Sequence, residues 1–122
     1  MILADTSVWI DHLRSTKPEM RNLLGRGQIA IHPLVVAELA LGSVRDRART
    51  LLYLDLLPPM RVAQIGEVRH MIEAHILYSK GIGLTDAHLI SSVLITPGTR
   101  LWTLDKRLRA IAESLGIHAI LN

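Results

Sequence analysis

Apolar positions along this 122-residue chain fall into two kinds of run. Some are short and unbroken: Ile2-Leu3-Ala4, Ile29-Ala30-Ile31 and Leu101-Trp102. Strands covered on both faces read this way, whereas half-exposed strands alternate. The runs predict a strand that opens the chain and ends at Asp5, and strands over residues 28–32 and 100–104. Residues 61–63 and 117–121 are further strand candidates. The stretches between carry apolar residues at helical spacing, as Val68, Met71, Ile72, His75 and Ile76 do. They predict helices over residues 7–13, 18–24, 34–41, 46–57, 67–79, 85–95 and 106–115. Pro18 and Pro33 suit first turns. Gly42, Pro58-Pro59, Pro97-Gly98 and Gly116 suit stops. Strands alternating with helices imply an α/β fold, a parallel sheet with helices on both faces. With no repeat and no linker, residues 1–122 are expected to form a single domain.

Composition narrows the class. Apolar residues make up 49% of the chain and aromatics 3%, so the core must be aliphatic. A mean hydropathy of +0.30 favours some apolar surface covered by a partner. The formal charge of +3 is compatible with a polyanionic partner without requiring one. The absence of cysteine excludes a disulfide frame and a thiolate metal site. No stretch has the layout of a signal peptide or the length of a membrane span, so a cytoplasmic protein with no membrane partner is expected.

Four acids carry the candidate chemistry. Asp5 and Asp105 each follow an apolar strand run, where an aspartate can simply cap the next helix. Asp86 opens a helix, where the dipole favours a carboxylate. Glu38 does not fit a capping account: it falls mid-helix between Ala37 and Leu39, among apolar residues that would bury it. If the first and fourth strands are parallel neighbours, Asp5 and Asp105 share the carboxyl edge of the sheet, where open α/β sheets bind ligands. Asp86 and Glu38 can face that edge. Four gathered carboxylates repel one another unless a dication holds them. An all-oxygen set suits Mg²⁺ or Mn²⁺. The six histidines show no metal-ligand spacing; His70 and His75 are too far apart for one helical turn.

In this order and spacing the residues resemble a PIN-domain ribonuclease of the VapC kind, the toxin of a type II toxin–antitoxin pair. The resemblance rests on Leu3-Ala4-Asp5-Thr6-Ser7, Val36-Ala37-Glu38-Leu39 with Gly42, Leu84-Thr85-Asp86-Ala87 and Leu101-Trp102-Thr103-Leu104-Asp105. It implies a Rossmann-like α/β/α sandwich with a mostly parallel sheet of four to five strands. It makes Asp5, Glu38, Asp86 and Asp105 the catalytic, metal-binding acids, with Ser7 and Thr103 supporting Asp5 from behind. The implied reaction is Mg²⁺- or Mn²⁺-dependent endonucleolytic cleavage of RNA by activated water. One departure stands out: Lys106-Arg107-Leu108 follows the last acid where relatives often carry an aromatic.

The resemblance also implies a cognate VapB-type antitoxin, with a homodimer or a toxin–antitoxin hetero-oligomer. The leucines of residues 51–57 cover more than one helical stripe and suit such a face. Candidate RNA contacts are Arg14, Lys17, Arg45, Arg47, Lys106, Arg107 and Arg109, while Trp9 suits the core better than base stacking. The rival readings are a receiver-like phosphoryl-transfer module, a single-strand or structure-specific DNA nuclease on the same fold, and a non-catalytic α/β binding module. The first wants a second acid beside Asp5, and the chain has Thr6 there. The last predicts that divalent metal leaves melting unchanged.

Overall fold

The computed structural model describes residues 1–121; Asn122, the last residue of the expected domain, lies outside the described residues. The opening run forms β1 (Ile2–Ala4) at the centre of a three-stranded parallel sheet. It pairs with β2 (Ile29–Ala30) on one side and β3 (Arg100–Trp102) on the other, with Leu3 opposite Ala30 and Leu101. Leu3 and Ala4 point to opposite faces and both are fully buried, so the sheet is covered on both sides. This is why the opening run shows no polar alternation.

Two further segments widen the sheet by a single bridge each, Pro59 against Ile31 and His118 against Leu101, both parallel. The last expected strand, residues 117–121, is therefore present only as this bridge. The strand expected at 61–63 does not form. Pairing falls at Pro59 instead, and the Ala63 N–H donates to the Ser92 hydroxyl rather than to a neighbouring strand.

Among the described residues seven helices follow the expected order: α1 (Thr6–Arg14), α2 (Pro18–Gly25), α3 (Pro33–Ala40), α4 (Arg47–Asp55), α5 (Ile65–Ala74), α6 (Leu84–Leu94) and α7 (Lys106–Ser114). Helices α1, α3 and α7 start just beyond the carboxyl ends of β1, β2 and β3. Helix α6 leads back into β3, so its N-terminus lies at that same edge. Trp9 is buried in the core, which rules out base stacking by its ring. Helix α5 stops five residues earlier than the spacing suggests. The Leu77 N–H bonds back to the Ile72 carbonyl, and Ile76 takes the left-handed conformation (φ 51°) usual for glycine at such an end.

One buried polar group joins three elements beneath the sheet edge. His32 caps α3: its Nδ1 accepts from the Leu34 N–H, so its Nε2 carries the proton and donates to Ser92 Oγ at 3.1 Å. Burial, with some help from the charge of His88, pushes the imidazole down to about 4 from its ordinary 6.5. The folded chain thus holds this ring neutral while the unfolded chain protonates it below pH 6.5. The stability it contributes is whole above that value and is lost as the pH falls toward 4. Urea unfolding is expected to show a loss of up to about 3 kcal/mol across that window from this group. His32→Asn, which keeps an acceptor for Leu34, should flatten the fall; an unchanged pH slope in the variant would remove His32 as its source.

Candidate active site at the carboxyl edge of the sheet

Asp5 sits at the end of the central strand, 4% exposed, and every element around it is arranged to hold a charge there. Its Oδ1 accepts the Val8 N–H at 3.1 Å, which caps α1, and the Ser7 hydroxyl at 2.5 Å. Its Oδ2 accepts the Thr103 hydroxyl. Both hydroxyls are aimed by backbone groups of the turn between β3 and α7. The Leu104 N–H donates to Ser7 Oγ and the Asp105 N–H to Thr103 Oγ1, each at 3.0 Å. With their lone pairs so engaged, both hydroxyls spend their protons on Asp5. The donors favour the ionised carboxylate, while burial, the larger effect, pushes its pKa up.

The other acids lie around this fixed point. Asp105 caps α7 through Oδ1, which accepts the Leu108 N–H at 2.9 Å, and is otherwise exposed. Asp86, half-buried in the first turn of α6, has its carboxyl pushed up by burial first, then by the charges of Asp5 and Asp105, with a smaller push from Glu38. A bond from the Gly83 backbone pulls the other way. The four acids therefore share one electrostatic field.

Glu38 corrects the expectation drawn from its apolar neighbours: it is exposed, not buried. The face of α3 formed by Ala37, Glu38 and Leu41 looks to solvent, and Leu41 is 89% exposed. What ties Glu38 to the site is Thr6, the residue after Asp5, whose hydroxyl donates to Glu38 Oε1 at 2.6 Å. Thr6 had no role on sequence grounds; its contact depends on how α1 packs against α3, which residue spacing does not encode.

Among the described residues no lysine or arginine pairs with any of the four acids. The ion pairs are Lys17 with Asp11 and Arg109 with Glu113. Nor do any three Asp, Glu or His side chains among them close tightly enough to hold an ion as placed. The donor set nonetheless fits a hard divalent cation: all oxygen, unneutralised, with Asp5 locked and the exposed Glu38 and Asp105 able to swing. Several expected RNA contacts are otherwise engaged. Arg47 closes the end of α3 on the Ala40 and Gly42 carbonyls, and Lys17 and Arg109 are in the ion pairs above.

A groove of about 570 Å³ adjoins Glu38, floored by Ile10, Leu13, Leu39 and Val44 and edged by Arg14 and Arg45. On α4, Leu52 and Leu56 are 60% and 76% exposed, whereas Leu54 is buried.

Comparison with known proteins agrees with this geometry. The PIN domain family model matches residues 2–114. Ribonuclease VapC32 of Mycobacterium tuberculosis, from strain CDC 1551 / Oshkosh, is 44% identical over 117 residues, covering 96% of this chain and 94% of the relative. Ribonuclease VapC32 of strain ATCC 25618 / H37Rv matches to the same extent.

The shared field makes a stability prediction. A carboxyl raised in the fold binds a proton there more readily than in the unfolded chain. Stability therefore rises as the pH falls through its raised value toward the ordinary 3.8, and above that range ionised Asp86 costs stability. Asp86→Asn should stabilise the metal-free protein at neutral pH by on the order of 1 kcal/mol, a rise of roughly 4 °C in melting temperature in EDTA. A lower melting temperature would mean that Asp86 is held by favourable contacts rather than repelled.

Proposed function

The chain belongs to the PIN-domain family, and from that premise we propose that it is a divalent-metal-dependent endoribonuclease, the toxin of a VapBC-type pair. The observation that carries the reading is Asp5, a buried carboxylate held by two aimed hydroxyls with no cationic partner among the described residues. A fold seeking stability alone has little use for such a group, since a buried charge is costly unless paired. The acids Asp5, Glu38, Asp86 and Asp105 would hold the ion, Mg²⁺ or Mn²⁺. When bound, it supplies an activated water and the positive charge that in-line attack at a phosphodiester requires.

The chain's own residues set the geometry. Ser7 and Thr103 fix the plane of the Asp5 carboxylate, so the reaction loses no free energy to reorienting it. Asp105 leaves Oδ2 outside its capping bond, and Glu38 leaves Oε2 outside its bond from Thr6. Residue types at the rim favour a polyanion. Arg14, Arg45 and Lys106 have no protein partner among the described residues.

A cognate antitoxin segment occupies the groove beside Glu38, where it excludes RNA. The exposed leucines of α4 extend an apolar surface for that antitoxin or for a second copy of the chain. Replacing Leu52 and Leu56 together by Glu should weaken self-association or antitoxin capture in co-purification and sizing. If both persist unchanged, α4 is not the contact.

Purified, antitoxin-free protein should cut RNA with Mg²⁺ or Mn²⁺ and not in EDTA, as read by sequencing the new RNA ends. Asp5→Asn and Asp86→Asn should reduce cleavage to background. Thr103→Val and Ser7→Ala should each cost about 10–100-fold, the usual scale for residues that orient a metal ligand. Wild-type cleavage by either Asn variant would sink the site, and Mn²⁺ without effect on either cutting or melting would sink the metal.

A further inference from the structure

Helix α7 breaks a helix rule just beyond the site. Its first turn carries Lys106, Arg107 and Arg109 and no acid, although the dipole disfavours cations at a helix N-terminus. Arg109 is compensated by Glu113. Arg107 has no acidic partner among the described residues, although it stands two positions after Asp105. Its guanidinium instead lies across the loop between α5 and α6, with Nη1 3.4 Å from the Gly81 carbonyl. Gly81 stands directly against it. It has φ 76°, and a Cβ there would lie 2.7 Å from Arg107 Nη1. The same loop holds Ile76 at φ 51° and Ser79 at φ 60°. A β-branched residue in that region is a true outlier, and such strain concentrates at functional sites. Strain and an unfavoured charge thus face each other across one cleft.

The cleft encloses about 320 Å³. Its charged and titratable lining is His75, Lys80 and Arg107, with no Asp or Glu, over a floor that includes Leu77 and Ile111. It runs from the carboxyl edge of the sheet along α7. Its loop ends at Gly83, whose backbone bonds Asp86. The volume is at the small end of ligand pockets, on the scale of about one nucleotide and too short for a partner helix.

We propose that this cleft binds the backbone of single-stranded RNA beside the cleavage site, with Arg107 and Lys80 on phosphate and Gly81 holding Arg107 in place. The proposal rests on the endoribonuclease reading and adds the path of the substrate to it.

The test compares wild type with Arg107→Gln, Lys80→Gln and the double variant, all at exposed positions. Binding of a short fluorescent single-stranded RNA is followed by anisotropy in a KCl series, with Ca²⁺ in place of the catalytic ion. The slope of log affinity against log salt should fall by about 0.7 for each lost phosphate contact. KM for RNA in Mn²⁺ should rise several-fold with kcat little changed. Unchanged affinity and salt slope in the double variant would overturn the proposal and give the cleft to another partner. The Mn²⁺-induced rise in melting temperature reads the metal site separately. Its absence in wild type would count against the endoribonuclease reading, while the salt slopes would still decide the cleft.

Discussion

The structure depends on a buried negative charge at the end of its central strand. Asp5 is nearly closed to solvent, yet the groups around it are donors suited to a carboxylate rather than a carboxylic acid. Two hydroxyls reach it, and each is itself steered by a backbone N–H from the turn after β3. The arrangement joins residues nearly a hundred positions apart and fixes β1 and β3 relative to the start of α7. Charge-assisted hydrogen bonds contribute about 1.5–3 kcal/mol each, enough to offset much of the burial cost without removing it. The remainder is what a cation can draw on.

Capping and catalysis are usually weighed as alternatives for an acid at a helix start. Here they are the same fact. Asp5 caps α1, Asp105 caps α7 and Asp86 occupies the first turn of α6. Three helix N-termini therefore converge on one edge of the sheet, and their partial positive charges temper the repulsion among three acids. The parallel topology produces this directly, because helices that follow β1 and β3 and the helix that precedes β3 all begin at the same edge. Glu38 has no such support, being in the last turn of α3, and the Thr6 hydroxyl takes that part instead.

Much of this was legible in the residues. Unbroken apolar runs marked β1 and β3, and the acids that end them fell on one edge because the runs are parallel neighbours. The segment at 61–63 misled because three residues between Pro58-Pro59 and the next helix are too few to carry a period. Ala63 spends its N–H on Ser92, a bond from a distant helix that no local pattern announces. The expected burial of Glu38 failed for a different reason. Counting apolar neighbours around α3 treats the helix as surrounded, but α3 lies at the margin of the domain, and Ala37 and Leu41 are as open as Glu38. The early end of α5 was illegible for a related reason: burial of Leu77 forces Ile76 into a conformation its own chemistry resists.

The charges outside the site complete the argument. An unneutralised acidic pocket repels RNA, so a nuclease built on one needs cations that are near the acids but not paired with them. An arginine in contact with Asp105 would neutralise the ligand it is meant to serve. The placement of Arg107 meets both demands: two residues beyond Asp105, yet drawn aside onto Gly81. There its guanidinium reaches the Gly81 carbonyl, in a loop that carries no acid between His75 and Gly83. On this account the positive loop and the negative pocket are held apart by backbone geometry, and the substrate's phosphates, together with the ion, are what bridge them.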